Sequence, residues 1–217
     1  QWEYCVSRVY AGNVIVRPKG TAKAQPVSTD FWNGTVLGAI ETDKGKVNWR
    51  VLADRKHHVV LVIASGTSGE ARPELRLREE WGITPRVYAD NKPIEEIMEY
   101  LPPKPRRATR DGIELAIQEM NSKGAHVVAS LEVDAGRGER AVIVAIGTSD
   151  ATPTSEAAVQ AEQEAIRRVR LAAKEGVASI ERRHRQWWNE YWKLGSIELP
   201  DDEYWQRFWY RQLYKFA

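Results

Sequence analysis

The pattern of apolar and polar positions divides the chain at about residue 150. Before this point, short apolar runs alternate with turn sequences, which is typical of antiparallel strands joined in hairpins. The runs are Asn13 to Val16, Thr35 to Ile40, Val47 to Leu52, His58 to Ala64, Leu75 to Arg78 and Ile113 to Met120. The last two alternate apolar and polar residues, as strands with one solvent-exposed face do. We therefore expect residues 1–151 to form a β-sandwich.

Two similar apolar runs each end in Gly-Thr-Ser: VVLVIASGTS at 59–68 and AVIVAIGTS at 141–149. Each follows another strand across a polar turn, so the chain contains two similar hairpins. Two such hairpins favour two similar layers, although chance recurrence of strand and turn residues explains the similarity of the two runs equally well. Between the hairpins, the proline-rich stretch Pro93 to Pro105 is unsuited to a sheet interior, and Ile94 to Tyr100 has the pattern of a short helix.

After Thr152 the period changes from that of strands to that of helices. Thr152 is a candidate N-cap, with Pro153 at the first helical position and Glu156 in the first turn. Gly176 interrupts the pattern and favours a break into two helices, and Gly195 suits a C-terminal cap. Apolar positions at steps of three or four predict one continuous stripe: Ile166, Val169, Ala173, Val177, Ile180, His184, Trp187, Tyr191 and Leu194. Residues 152–195 are thus predicted to form a helical linker.

Aromatic residues are concentrated at the C-terminal end. Five of the nine tryptophans lie after residue 186: Trp187, Trp188, Trp192, Trp205 and Trp209. On one helix Trp188 and Trp192 share a face, and Trp187 and Tyr191 share the adjacent row. Exposed together, these rings would form a larger apolar patch than monomers usually carry, so we expect all five tryptophans to pack against a neighbouring domain. A platform that stacks sugar rings or bases is the alternative.

The last segment, Trp205 to Ala217, follows helical spacing but lacks Gly, Asn or Pro to end the helix. Residue 1 is Gln rather than Met. We therefore expect the sequence to be part of a longer protein.

Composition excludes several partners and sites. The chain has 32 basic and 30 acidic residues, a net charge of +2, so we predict no nucleic-acid partner. Its longest apolar run, Val59 to Ala64, is far shorter than the roughly 20 residues that span a bilayer, so we predict no membrane partner. A single cysteine, Cys5, allows no internal disulfide and no cysteine metal cluster. We predict no cofactor.

No residue of this sequence is assigned a catalytic role. The densest carboxylate group, residues 201–203, stands where a helix begins and is interpreted as capping rather than as an acid and base pair. Asp134 and Glu139 flank a glycine-rich turn, where turn formation is the simpler role. His57 and His58 are placed at a strand start with opposite orientations, so they would not bind one metal together. Catalytic, cofactor-binding and metal-ligating residues are all predicted to be absent.

Three segments carry a family resemblance: HRQWWNEYW at 184–192, SIELPDD at 196–202 and WYRQLYKFA at 209–217. They resemble the join between an N-terminal β-sandwich and an (α/α)6 barrel in multidomain glycoside hydrolases, family 95-like enzymes and their bacterial relatives. LRLREEW at 75–81 also looks like a sandwich strand of those relatives. The resemblance implies a mainly β fold with C-terminal α: a two-layer antiparallel β-supersandwich followed by long linker helices, with residues 196–217 beginning the barrel. It also implies an extracytoplasmic location, and it places the catalytic carboxylates in barrel positions beyond this sequence.

These observations favour a non-catalytic domain of a carbohydrate-active enzyme, which packs against and orients a downstream (α/α)6 barrel. The first alternative is a free-standing carbohydrate-binding module that contacts polysaccharide through Trp32, with Asn33 beside it in a turn; Trp49 and Trp81 are further candidates. The second alternative is a protein-interaction domain that uses its aromatic C-terminal helices.

Overall fold

The structure is a computed structural model that describes residues 11–83, 101–121 and 123–216. Cys5 and the predicted helix at Ile94 to Tyr100 lie outside this range. The described strands are β1 (Gly12–Arg17), β2 (Ala22–Ala24), β3 (Val27–Asp30), β4 (Thr35–Thr42), β5 (Lys46–Asp54), β6 (Val59–Gly66), β7 (Glu74–Glu79), β8 (Arg106–Arg110), β9 (Ile113–Glu119), β10 (Ala125–Gly136) and β11 (Glu139–Ser149). The helices are α1 (Thr154–Glu175), α2 (Val177–Lys193) and α3 (Glu203–Phe216).

The strands pair in an antiparallel manner in two sheets of unequal size. The large sheet has nine strands in the order β2-β4-β5-β6-β11-β10-β9-β8, with β3 also paired to β4. Strands β1 and β7 form a separate two-stranded ribbon. Strand accounts for 42% and helix for 29% of the chain. The predicted fold class, mainly antiparallel β followed by C-terminal helices, is confirmed.

The two hairpins whose apolar runs end in Gly-Thr-Ser lie side by side in one sheet rather than in two layers. Their apolar strands β6 and β11 are direct antiparallel neighbours, with Val62 opposite Val142. The assignment of one hairpin to each layer is therefore wrong. Both runs are continuously apolar because they occupy the sheet centre, where both faces are covered.

Different elements cover the two faces of the central strands. Leu61 and Ile63 point to the face on which α1 packs, in the largest core cluster. Val62 and Ala64, which alternate with them, point to the opposite face, where Leu75 of the β1–β7 ribbon covers them. A strand with both faces buried has no room for the polar alternation of a surface strand.

Helix α1 lies close to the sheet because its inner face carries small side chains. Its buried residues are Ala157, Ala158, Ala161, Ala165, Val169 and Ala172. On the sheet, Gly147 meets this stripe so closely that a Cβ atom there would lie 2.0 Å from the carbonyl oxygen of Ala161. The predicted cap is wrong by one position. Pro153 occupies the N-cap with extended backbone, the helix begins at Thr154, and the Thr154 hydroxyl donates to Glu119 at 2.9 Å.

Gly176 separates α1 from α2, as predicted, with a positive φ of 87° that favours glycine. The predicted stripe continues across this break, since Val177, Ile180 and His184 of α2 are buried. Trp188 and Trp192 are buried, whereas Trp187 and Tyr191 are only partly buried, and Leu194 is 87% exposed. The stripe prediction is therefore wrong beyond His184, where the buried positions continue in steps of four, at Trp188 and Trp192.

The remaining helix ends follow their local sequence. At the start of α3, the Asp202 carboxylate accepts the backbone N–H of Trp205 at 3.1 Å, so the capping interpretation of residues 201–203 is confirmed. Helix α2 ends at Lys193, and Gly195 follows the capping residue Leu194. None of the described helices combines the length and hydropathy needed to cross a bilayer.

Candidate functional site

The turn at residues 31–34, which joins β3 to β4, is held by one face of α2. Three side chains of the helix approach three backbone carbonyl oxygens of the turn. The pairs are Trp192 Nε1 to Phe31 O at 2.7 Å, Asn189 Nδ2 to Trp32 O at 2.8 Å, and His184 Nε2 to Gly34 O at 3.0 Å. The three residues are three, five and eight positions apart, so they lie on one side of the helix and a single helix face satisfies the turn.

The turn is also fixed internally. The Asp30 carboxylate accepts the backbone N–H of Asn33 at 3.1 Å and its side-chain amide at 2.7 Å. Gly34 has a φ of 61°, and a Cβ atom there would lie 1.9 Å from Nε1 of Trp188. The Asn33 amide, a predicted sugar contact, thus donates within the turn, while the Trp32 ring remains 54% exposed.

Below the turn, the aromatic rings form a stacked cluster. Trp188 stacks on Trp192 with ring centroids 5.5 Å apart and on Tyr214 of α3 at 5.1 Å. Trp187 and Tyr191 stack in the adjacent row at 5.1 Å, as their spacing predicted. The chain itself buries Trp188 and Trp192, which are 7% and 3% exposed, so these two rings are covered without a further domain.

Helix α3 is attached to the end of α2 by hydrogen bonds from aromatic side chains. The bonds are Tyr191 Oη to Leu213 O at 3.1 Å, Trp209 Nε1 to Gly195 O at 2.7 Å, and Tyr210 Oη to Ile197 O at 2.9 Å. The outer face of α3 nevertheless stays on the surface. Four of its rings are 40% to 70% exposed: Tyr204, Trp205, Phe208 and Trp209. We call these four residues the outer aromatic face.

A cavity of about 430 Å³ opens between the 31–34 turn and α3. Its walls are largely aromatic, with rings from Phe31, Trp32, Trp192 and Tyr210. Arg207, Arg211 and Ser196 supply its polar groups. Trp32, predicted from sequence as a carbohydrate contact, therefore does line a cavity, whereas Asn33 is not among its lining residues.

An ion-pair network fixes α2 against the sheet. Arg50 of β5 binds Glu139 through two hydrogen bonds of 2.7 and 2.8 Å and binds Glu181 of α2 at 2.6 Å. The hydrogen bond from Arg50 holds the pKa of Glu139 below its ordinary value, and hydrogen bonds to both carboxylates raise the pKa of Arg50. Bidentate pairing with partly buried groups makes this contact more directional than a surface ion pair.

A second group of charges joins the β5–β6 turn to both helices. Glu175 at the end of α1 accepts Lys56 Nζ at 2.8 Å and contacts His57 Nε2 at 2.7 Å. Arg183 of α2 bridges Glu175 and the buried carboxylate of Asp54, the latter at 2.6 Å. Hydrogen bonds from Lys56, His57 and Arg183 lower the pKa of Glu175 to about 2.

The histidines do not form a metal site in the part of the chain that the structure describes, where no group of three or more potential ligands occurs. The placement of His57 and His58 at a strand start is wrong, because β6 begins at Val59 and both residues lie in the preceding turn. His126 and His184 are buried, and burial lowers the pKa of each.

Sequence reasoning missed Arg50 and Glu70. Arg50 and Glu181 are 131 positions apart, so no local pattern relates them. Glu70 is fully buried, and its carboxylate accepts the backbone N–H groups of Lys19 and Gly20 and the hydroxyl of Thr42. The Thr42 hydrogen bond is the main cause of its lowered pKa. Glu70 ends the short 3-10 helix Ser68–Glu70, and a glutamate at such a position gives no sequence signal for this role.

No protein-family model and no curated protein matches this chain. Among solved structures, the chain is similar to one described as "Putative kojibiose phosphorylase from human microbiome", with a TM-score of 0.63 and 11% sequence identity. The match covers 95% of this chain and 32% of that chain, so this chain spans about one third of its length. At this identity the likeness shows a shared fold. The narrower resemblance to family 95-like hydrolases is not confirmed.

Proposed function

We propose that this chain is a non-catalytic domain of a carbohydrate-active enzyme, which packs against the catalytic domain and fixes its orientation. The structural neighbour supports this proposal, because nearly all of this chain matches only about a third of a protein described as a "Putative kojibiose phosphorylase". The catalytic part of the corresponding enzyme would then lie in the remaining length. The (α/α)6 barrel implied by the three sequence segments is the domain that we propose as the partner.

The observation that carries the proposal is the outer aromatic face of α3. Tyr204, Trp205, Phe208 and Trp209 are 70%, 54%, 42% and 40% exposed, and no residue of this helix is buried. Exposed aromatic patches of this kind mark interaction surfaces, and aromatic side chains are enriched in the cores of interfaces. A domain that covers this face would remove the apolar area from water.

The interior of the domain supports an orienting role. Helix α3 is joined to α2 through Tyr191 and to the segment after α2 through Trp209 and Tyr210. In turn, α2 is joined to the sheet through Arg50 and Arg183. These side-chain hydrogen bonds and ion pairs connect the sheet to α3, in addition to the chain segment between α2 and α3. A domain bound to α3 would therefore take its orientation from the sheet.

The partly buried carboxylates have properties that suit structural ion pairs. A general acid in glycoside cleavage needs a carboxyl pKa raised toward neutrality. Glu139 and Glu175 are shifted in the opposite direction by their hydrogen bonds to arginine and lysine. This is consistent with catalysis by residues of another domain.

The test compares two double variants of the protein expressed from its complete reading frame. Trp205→Ser with Phe208→Ser removes two rings that are 54% and 42% exposed, and the control Val159→Ser with Leu171→Ser removes α1 side chains that are 55% and 42% exposed. In the complete protein, we expect the α3 variant to unfold in two calorimetric transitions and to lose activity, while the control behaves as wild type. Both variants of the isolated chain should keep the wild-type melting temperature.

Two results would refute the proposal. The first is a complete protein whose unfolding and activity are unaffected by loss of the two α3 rings. The second is an isolated chain that hydrolyses or phosphorolyses saccharides with a turnover number of about 1 s⁻¹ or more, a typical enzymatic value.

A further inference from the structure

The cavity beside the 31–34 turn has the size and lining of a small-molecule site. Its volume of about 430 Å³ lies within the range of roughly 300–1,000 Å³ that ligand pockets occupy. Such pockets are mostly apolar and contain a few polar groups that set orientation. Here the apolar part consists of aromatic rings, and the polar part is dominated by two arginines.

The hydrogen bonds around the cavity determine which polar groups a ligand would meet. Trp192 Nε1 donates to Phe31 O and Tyr210 Oη donates to Ile197 O, so these two residues present ring surface rather than polar atoms. Arg211 forms no ion pair within the described ranges, and Arg207 binds only Glu203, through a single nitrogen at 2.5 Å. The guanidinium groups therefore retain N–H donors for a ligand.

We propose that this cavity binds an acidic saccharide, with a sugar ring packed on Trp32 and its carboxylate bound by Arg211 and Arg207. The C–H face of a pyranose ring matches an aromatic surface through dispersion and removal of apolar area from water. A planar guanidinium matches a carboxylate through two parallel hydrogen bonds. The choice of a saccharide among carboxylate ligands rests on the proposed function.

The backbone that carries the Trp32 wall is preorganised. The Trp32 carbonyl accepts a hydrogen bond from Asn189, and the neighbouring Asn33 is fixed to Asp30. A wall already held in place reduces the ordering cost of binding. The net charge of the whole chain is only +2, so two arginines at one cavity are a local feature rather than a general basic surface.

The cavity lining and the outer aromatic face have no residue in common. Arg207, Tyr210 and Arg211 follow spacings of three and four residues, which places them along one side of the helix. The outer aromatic face defined above contributes no residue to the cavity lining. Substitutions on that face therefore change no residue that lines the cavity.

Isothermal titration calorimetry of the chain with trigalacturonic acid and with neutral maltotriose tests the proposal. We expect the acidic trisaccharide alone to bind, and Arg211→Gln and Trp32→Ala each to weaken binding by about tenfold or more. Arg211→Lys, which keeps the charge but loses the planar fork, should also weaken it. The matched control is Arg182→Gln, since Arg182 is an exposed arginine of α2 outside the cavity. Circular dichroism checks that each variant is folded.

Binding of trigalacturonic acid that is weakened at Arg211 and Trp32 but not at Arg182 supports the proposal. Equal binding of maltotriose, absence of binding, or an equal loss in Arg182→Gln overturns it. None of these results bears on the docking test, because Trp205 and Phe208 do not line the cavity. Failure of the saccharide site is thus distinguishable from failure of the proposed function.

Discussion

The Nε2 atom of His184 lies 3.0 Å from the backbone carbonyl oxygen of Gly34, which is 150 positions away in the sequence. Burial lowers the pKa of His184, so the neutral imidazole is favoured, with a proton on Nε2 for this carbonyl. The contact joins the middle of α2 to the turn that precedes β4. It therefore connects the helix that carries the stacked aromatic cluster to the edge of the large sheet.

Replacing His184 with leucine should destabilise the chain by about 1–3 kcal/mol, because the buried Gly34 carbonyl would lose its donor. His184→Gln, whose amide nitrogen can reach a position near that of Nε2, should recover part of the loss. Urea unfolding followed by far-ultraviolet circular dichroism measures both values. Equal stability of the leucine variant and wild type would show that the hydrogen bond contributes nothing.

Gly34→Ala should cost about 3 kcal/mol, the sum of a left-handed backbone penalty and a steric clash. The added Cβ would lie 1.9 Å from Nε1 of Trp188. Because Trp188 is stacked between Trp192 and Tyr214, its ring has no free direction in which to move.

Gly112→Ala is the matched control for this change. Gly112 has a φ of 78°, and nothing lies within 4 Å of the added Cβ, so only the backbone penalty applies there. We expect this variant to lose about 1 kcal/mol in the same urea assay. A loss at Gly34 no larger than that at Gly112 would contradict the clash with Trp188.

Local sequence patterns predicted the elements, whereas contacts between distant elements were beyond them. The break at Gly176 and the cap at Asp202 follow from residue chemistry within a few positions. The pairing of β6 with β11 does not, because two apolar runs fit one sheet as well as two layers. Likewise, the turn that contains Trp32 meets its hydrogen-bond donors on α2 only in the folded chain. The sequence therefore predicted an aromatic residue in a turn but not the helix that holds this turn.

Acid should destabilise the chain partly through Glu175. Hydrogen bonds from Lys56, His57 and Arg183 lower its pKa from 4.5 to about 2 in the folded chain. A group with a lower pKa in the folded state stabilises it fully above the unfolded value, and this contribution disappears as the pH falls from about 4.5 towards 2. In Glu175→Gln, urea midpoints measured across this window should therefore fall less steeply with decreasing pH than in wild type.

Glu190→Gln provides the control for a carboxylate without such partners. The side chain of Glu190 is 63% exposed and, among the described residues, forms an ion pair only with Lys193 of the same helix, a contact of little energetic value. Its removal should leave the pH dependence unchanged. Hydrogen bonding also lowers the pKa of other carboxylates, including Glu139 beside Arg50, so acid destabilises the chain through them as well and the Glu175 variant should retain a shallower slope rather than none. Identical slopes in Glu175→Gln and wild type would mean that the charge cluster at the β5–β6 turn does not stabilise the fold through Glu175.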